Sequence, residues 1–148
     1  MKNARTAAYT ALLQVDVNAG YSNIVIDKAI KEADLDQRDA SLAAAIFYGV
    51  LERRITLDYI INQFSKVKVN KMKPVIRTIL RSSVYQMKYM DSVPDSAICN
   101  EAVKLAGKRG FVNLKGFVNG VLRNIGRNLD KISYPDAKDQ EAFISIKY

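Results

Sequence analysis

The chain has 148 residues, of which 49% are apolar, so its length suits one domain built around a single hydrophobic core. It carries 23 lysines and arginines against 15 aspartates and glutamates, a composition typical of globular proteins rather than disordered or membrane-embedded ones. Histidine is absent and Cys99 is the one cysteine, which excludes an internal disulfide and a multi-cysteine metal site.

Apolar residues recur at intervals of three and four through the first 64 residues and predict four helices. We expect Asp36 to cap the third helix, and Thr56, followed by Asp58, to begin the fourth. Gly20 is expected to stop the first. The predicted helices cover residues 5–19, 22–33, 37–51 and 57–64.

Three more helices are predicted after a loop rich in lysine and valine at residues 65–72. Pro74 suits the first turn of a fifth helix that reaches about Met90, and Pro94 gives the same signal for a sixth. The sixth helix is expected to end near Ala106, before Gly107. The seventh covers residues 114–127.

Short connections between these segments predict an all-α fold, a compact bundle of about seven helices over residues 1–128. From residue 129 the pattern changes to Tyr134-Pro135, acidic residues and a short apolar run near the end. We therefore interpret residues 129–148 as a linker.

The positive charge is concentrated in the second half, where residues 66–127 hold thirteen basic and three acidic side chains. Such an excess is what a surface that faces many phosphates requires, so a nucleic acid is the favoured partner. Solvated helix faces, or an acidic protein or lipid partner, remain alternatives at this point.

Two predicted helices carry cations on one face. On the fifth helix the cations fall in a strip opposite the apolar face, and on the seventh Gly116 and Gly120 share a face with two arginines. A close approach by another backbone explains glycines inside a helix, whether it comes from a neighbouring helix or from RNA. The loop at 108–113 adds two cations and Phe111, which could stack on an unpaired base. The candidate RNA-binding residues are Arg5, Arg53, Arg54, Lys73, Arg77, Arg81, Lys88, Lys108, Arg109, Lys115, Arg123 and Arg127.

The sequence contains no recognisable set of catalytic or cofactor-binding residues. Without histidine nothing activates the Cys99 thiol, and its apolar neighbours at helical spacing predict a small buried residue rather than a nucleophile. No glycine pattern fits a phosphate loop or a dinucleotide site. No apolar stretch is long enough to span a bilayer, and no signal-peptide pattern occurs. We expect a cytoplasmic chain that binds but does not catalyse, with no catalytic residue, metal or cofactor of its own and no membrane or DNA partner.

Several motifs resemble the NusB fold family, and together they span residues 1–127. They are MKNARTAAY at 1–9, YGVLERR at 48–54 with Leu57-Asp58, Leu80-Arg81 with Val84-Tyr85-Gln86, Val93-Pro94, NEAV at 100–103 and GFVNGVLR at 116–123. In the stand-alone antitermination factors of this family, an acidic residue usually follows the last motif's leucine, whereas Arg123 stands there in this chain. That departure favours the domain fused to methyltransferases of the RsmB type.

The resemblance to the RsmB type implies an N-terminal RNA-binding domain that positions small-subunit rRNA for methylation at cytosine C5. The catalytic domain of that type binds S-adenosylmethionine and uses two cysteines. The resemblance implies that this domain and its cofactor lie beyond Tyr148, attached in cis through residues 129–148.

Two alternatives remain. The first is a stand-alone NusB that binds boxA-like RNA with a ribosomal protein in an antitermination complex. The second is a helical protein-interaction module whose basic faces are incidental.

Overall fold

A computed structural model of the chain describes residues 3–18, 20–91 and 93–134. Over these ranges it contains seven α-helices and no strand, which confirms the predicted all-α bundle. Single 3₁₀ turns occupy Val69–Lys71, Val112–Leu114 and Leu129–Lys131. The helices are α1 (Ala4–Asn18), α2 (Ser22–Ala33), α3 (Gln37–Glu52), α4 (Arg54–Phe64), α5 (Pro74–Tyr89), α6 (Asp95–Lys108) and α7 (Lys115–Asn128).

Helix α5 lies at the centre and packs against α1, α3, α4, α6 and α7. Its apolar face is buried as the periodicity predicted, with Ile76, Ile79 and Leu80 at most 2% exposed. Four polar residues of α5 are buried as well, and Gln86 among them accepts a hydrogen bond from Arg5 and donates one to the carbonyl of Ser82. Helices α1, α2 and α3 pack on one another, and α6 packs antiparallel on α7. None of the helices in the described ranges has the length and apolarity that a bilayer span needs.

The start of α3 follows the prediction, but the start of α4 does not. Oδ1 of Asp36 accepts a hydrogen bond from the backbone N–H of Asp39 at 2.8 Å and so caps α3. Arg53 alone separates α3 from α4, so the chain enters α4 before it reaches Thr56, and the predicted cap at Thr56 is wrong. Asp58 lies inside α4 and pairs with Arg81 instead of marking a helix start.

The end of α6 also differs from the prediction, because the helix continues through Gly107 to Lys108. A Cβ at Gly107 would touch the side chain of Lys115, so this glycine lets α7 approach closely instead of stopping the helix. Cys99 is 1% exposed, which confirms the prediction of a buried residue. Burial raises the pKa of its thiol, and the nearby Arg123 acts in the opposite direction.

The segment after α7 packs against the bundle as far as the structure describes it. Leu129, Ile132 and Tyr134 contact the core, and the Tyr59 hydroxyl donates to the carbonyl of Ser133 at 2.8 Å. These residues of the predicted linker therefore pack on the bundle. The rest of the predicted linker, residues 135–148, lies outside the described residues.

Candidate nucleic-acid interface

Four cations from distant parts of the sequence meet where the start of α1 lies beside the end of α6. Arg5 is half-buried, and its Nε donates to Oε1 of Gln86 at 2.8 Å. Lys104 and Lys108 are exposed and border the same small cavity as Arg5, and Arg109 follows them in the chain. We call Arg5, Lys104, Lys108 and Arg109 the α1–α6 basic surface.

Arg109 is anchored to α1 by two contacts. Its guanidinium carbon lies 5.1 Å from the centre of the Tyr9 ring, and its Nη2 lies 3.4 Å from the Thr10 hydroxyl. The next residue, Gly110, has a φ of 88°, which favours glycine, and it ends the helical path at this point. The local turn thus fixes an exposed guanidinium beside the first helix.

The two lysines of this surface have a favourable place on α6. Lys104 and Lys108 are four residues apart and therefore lie on the same face of the helix. They belong to its last two turns, where the helix dipole stabilises positive charge near the C-terminus. Neither lysine forms an ion pair with a described residue, so both remain available to an external anion.

A cavity of about 40 Å³ lies within the α1–α6 basic surface and has room for a water-sized group. Glu101 is the only acidic residue among the described residues that line this cavity. The Tyr9 hydroxyl is buried there without a hydrogen-bond partner among the described residues. Burial raises the pKa of Tyr9 to about 12, with Arg109 opposing the shift, so the phenol stays neutral at physiological pH.

The cationic strip predicted along α5 is not a free surface, and this interpretation needs correction. Arg77 donates through Nη2 to Asp16 at 2.8 Å, and Arg81 donates through Nε and Nη2 to Asp58 at 2.7 and 2.9 Å. The side chains of Arg77 and Arg81 are only 21% and 12% exposed. Both charges are thus neutralised within the protein by carboxylates on α1 and α4.

Arg53 and Lys88 form a second group, together with aromatic rings. The Arg53 guanidinium lies 4.3 Å from the centre of the Tyr89 ring. The Lys88 ammonium lies 5.3 Å from that ring and 4.8 Å from the ring of Tyr134. Lys88 thus joins the end of α5 to the segment after α7, whereas Arg53 joins the α3–α4 junction to the end of α5 and remains exposed.

In the described ranges, the glycine face of α7 is not covered by a neighbouring helix, which was one of the two explanations offered for its glycines. A Cβ added at Gly116 or Gly120 would meet no atom within 4 Å, so no neighbouring helix in the described part accounts for these glycines. Arg123 and Arg127 are exposed on the same helix, and Arg123 donates to the Asn119 side chain at 2.9 Å. No residue that the structure describes covers the two glycines on this face.

The remaining candidates are separate from these groups. Lys73 is exposed and borders an apolar groove with Phe117, while Lys115 is half-buried against Gly107. Arg54 borders a larger polar cavity. Phe111, expected on a flexible loop, instead packs against the core.

The structure therefore assembles three of the predicted residues, Arg5, Lys108 and Arg109, into one basic surface. Sequence reasoning missed Lys104 and Tyr9 there. Lys104 could have been found, because it stands one helical turn before Lys108, whereas Tyr9 gives no signal beyond its apolar spacing. Contact with RNA stays a prediction for all twelve candidates.

Comparison with known protein families finds a match over most of the chain. A model of the "NusB family" matches residues 2–127. The chain is 39% identical over 125 residues to the "Probable ribosomal RNA small subunit methyltransferase B" of Bacillus subtilis (strain 168), covering 84% of this chain and 28% of that protein. It thus spans less than a third of the methyltransferase's length.

A second type of relative is matched over nearly its whole length. The chain is 39% identical over 129 residues to the "Transcription antitermination protein NusB" of Bacillus pumilus (strain SAFR-032), covering 86% of this chain and 95% of that protein. Among solved structures, a chain of antitermination factors NusB and NusE in complex with dsRNA superposes with a TM-score of 0.78 at 21% identity. That superposition covers 85% of this chain and 95% of the other, and it shows the shared fold.

Proposed function

This chain belongs to the NusB family, and from that premise we propose that it binds RNA by its sugar–phosphate backbone through the α1–α6 basic surface. The observation that carries the proposal is the convergence of Arg5 with Lys104, Lys108 and Arg109, which lie about a hundred positions later in the sequence. A neighbour of the same fold was solved with double-stranded RNA, which supports RNA as the partner.

The electrostatics of this surface support a phosphate partner. Lys104, Lys108 and Arg109 form no ion pair with a described residue, in contrast to Arg77 and Arg81. Several free cations around one shallow cavity attract a polyanion and release its counterions when it binds. The contact with Tyr9 gives Arg109 a defined position on this surface. Contacts between cations and phosphates position an RNA on a protein but do not read its base sequence.

Two settings for this activity are supported by different observations. The length of the match favours an antitermination factor of the NusB type, because the alignment with this chain covers 95% of such a relative. The presence of exposed Arg123 where those factors usually have an acidic residue favours the RNA-binding domain of a small-subunit rRNA methyltransferase. In that second setting S-adenosylmethionine belongs to a further catalytic domain, and the coding sequence after Tyr148 distinguishes the two.

The salt dependence of RNA binding tests the proposal. We expect the affinity of the chain for a single-stranded RNA to fall steeply with salt, with a log–log slope of about −0.7 per phosphate contacted. Reversing the charge of Lys104 and Lys108 to glutamate should weaken binding and flatten the slope by about 1.4. Lys28→Glu/Lys31→Glu, at two exposed lysines of α2, makes the same change in net charge; it is the matched control and should leave the slope unchanged.

Two results would overturn the proposal. One is a slope near zero for the unmodified chain. The other is an equal loss of affinity in the Lys104/Lys108 double variant and in the Lys28/Lys31 double variant, because that would assign binding to net charge rather than to this surface.

A further inference from the structure

A second and larger cavity lies away from the α1–α6 basic surface. It has a volume of about 350 Å³ and is formed by α1, the first turns of α4, α5 and the loop at residues 65–72. Small-molecule sites commonly measure about 300–1,000 Å³, so this cavity is large enough for a compact ligand. Its charged lining residues are Asp16, Arg54, Asp58, Lys68, Arg77 and Arg81.

The floor of this cavity is held rigid by ion pairs. Oδ2 of Asp16 accepts from Nε and Nη2 of Arg77 at 2.9 and 2.8 Å, and Asp58 forms a bidentate pair with Arg81. Nη1 of Arg81 also reaches Oδ1 of Asp16 at 3.5 Å, which links the two pairs. Because each carboxylate offsets one guanidinium, the floor is close to neutral and fixed in place.

The rim of the cavity carries the unbalanced charge. Arg54 and Lys68 are exposed, and neither forms an ion pair with any residue that the structure describes. Four cations face two carboxylates, so the cavity as a whole has an excess of two positive charges. This excess predicts an anionic ligand, since a neutral polar ligand gives no reason for two unpaired cations at one opening.

Polar groups between floor and rim suit a phosphate. The side-chain Oδ1 of Asn62 accepts from the backbone N–H of Val69 at 2.9 Å, so the side-chain NH₂ of Asn62, which donates to no described residue, can donate to a ligand. Arg54 and Ile55, at the start of α4, line the cavity as well.

We propose that this cavity binds the phosphate group of a small phosphate ester the size of a nucleoside monophosphate, with Arg54 and Lys68 pairing with the phosphate. The proposal goes beyond RNA binding by the α1–α6 basic surface, because the two sites share no lining residue. The same phosphate chemistry is available from a free nucleotide or from an RNA strand that extends across the protein.

Titration of the full chain with defined probes tests the site. The probes are adenosine monophosphate, inorganic phosphate and adenosine, followed by the chemical shifts of the backbone amides. We expect saturable binding of the two phosphates, with adenosine at least about tenfold weaker. The Arg54→Ala/Lys68→Ala variant should bind adenosine monophosphate about tenfold more weakly, because it loses two charged contacts to the phosphate.

Lys66→Ala is the matched control, since Lys66 is an exposed lysine of the same loop that does not line the cavity. It should leave the affinity for adenosine monophosphate unchanged. The proposal is overturned if neither phosphate binds at millimolar concentration, or if both bind equally well to the double variant.

The RNA affinity of the Arg54→Ala/Lys68→Ala variant identifies the source of the phosphate. A lower RNA affinity, together with lost phosphate binding, assigns the site to an RNA strand. Unchanged RNA affinity with lost phosphate binding assigns it to a free nucleotide.

Discussion

The partner of each cation decides its role, and Arg81 shows this most clearly. Its side chain is 12% exposed, and its guanidinium pairs with the carboxylate of Asp58, whose side chain is 14% exposed. Arg109, in contrast, stacks on Tyr9 and stays open to solvent. The same residue type therefore stabilises the fold at one position and is free to bind a partner at the other.

Replacement of Asp58 by alanine should strongly destabilise the protein. The change leaves the half-buried charge of Arg81 with only the longer contact to Asp16, so we expect the free energy of unfolding to fall by about 3 kcal/mol. Urea denaturation measures this loss. Glu32→Ala is the control: its pair with Lys28 spans 3.9 Å between side chains that are about two-thirds exposed, so it should cost less than about 0.5 kcal/mol. Equal losses in the two variants would contradict the role given to Asp58.

Tyr9 should make the stability sensitive to alkaline pH. Its pKa is about 12 in the folded protein and 10.0 without the fold, so the fold favours the neutral phenol. This contribution is complete below pH 10 and is lost as the pH rises towards 12. Between pH 10 and pH 12, the unmodified chain should therefore lose about 2 kcal/mol of stability relative to the Tyr9→Phe variant. Tyr21→Phe, at an 80% exposed tyrosine, should show no such shift in the same denaturation series.

The partners of individual cations could not be predicted from the sequence. Helix projection placed Arg77 and Arg81 on one side of α5, but their partners Asp16 and Asp58 stand 61 and 23 positions earlier in the chain. No local pattern joins positions so far apart. The α1–α6 basic surface could not be predicted for the same reason, since it forms only because α1 and α6 both pack on α5.

At the scale of the elements, most helices could be predicted because their signals are local. Pro74 begins α5, and Asp36 caps α3 as expected. The exceptions are the α3–α4 junction and the end of α6, where tertiary packing overrides the local signal. Gly107 lies within α6 and leaves room for the side chain of Lys115. In the sequence, a glycine that serves helix packing in this way cannot be told from one that ends a helix.

Two glycines inside helices should respond to alanine in opposite ways. Gly49 of α3 lies against the Tyr85 ring, and a methyl group there would collide with the ring, so Gly49→Ala should destabilise by about 1–3 kcal/mol. Gly120 of α7 faces open space, and Gly120→Ala should stabilise by up to about 1 kcal/mol through helix propensity. Thermal or urea unfolding of the two variants measures both. A stabilising Gly49→Ala would show that the α3–α5 contact is loose.

At the scale of the whole molecule, charge and packing are arranged around α5. The α1–α6 basic surface and the 350 Å³ cavity share α1 and α5 and differ in the third helix, which is α6 for the surface and α4 for the cavity. Sequence periodicity gave the number of helices, but it contains no information on which helix is central. That arrangement depends on contacts between distant segments.

Hydrogen exchange should reveal this arrangement as a gradient of local stability. Helix α5 packs against five helices, so amides such as those of Ile79 and Leu80 should exchange only when the whole protein unfolds. Helix α2 packs on α1 and α3, buries only Val25, Ile26 and Ala29, and has no side-chain cap at its N-terminus. Its amides should therefore exchange through local opening, at a lower free energy than the global value. Exchange followed by NMR at increasing low urea concentrations separates the two routes, because only global opening depends steeply on urea. If α2 and α5 exchanged with the same free energy and the same urea dependence, the bundle would open as one unit and α5 would have no special place in it.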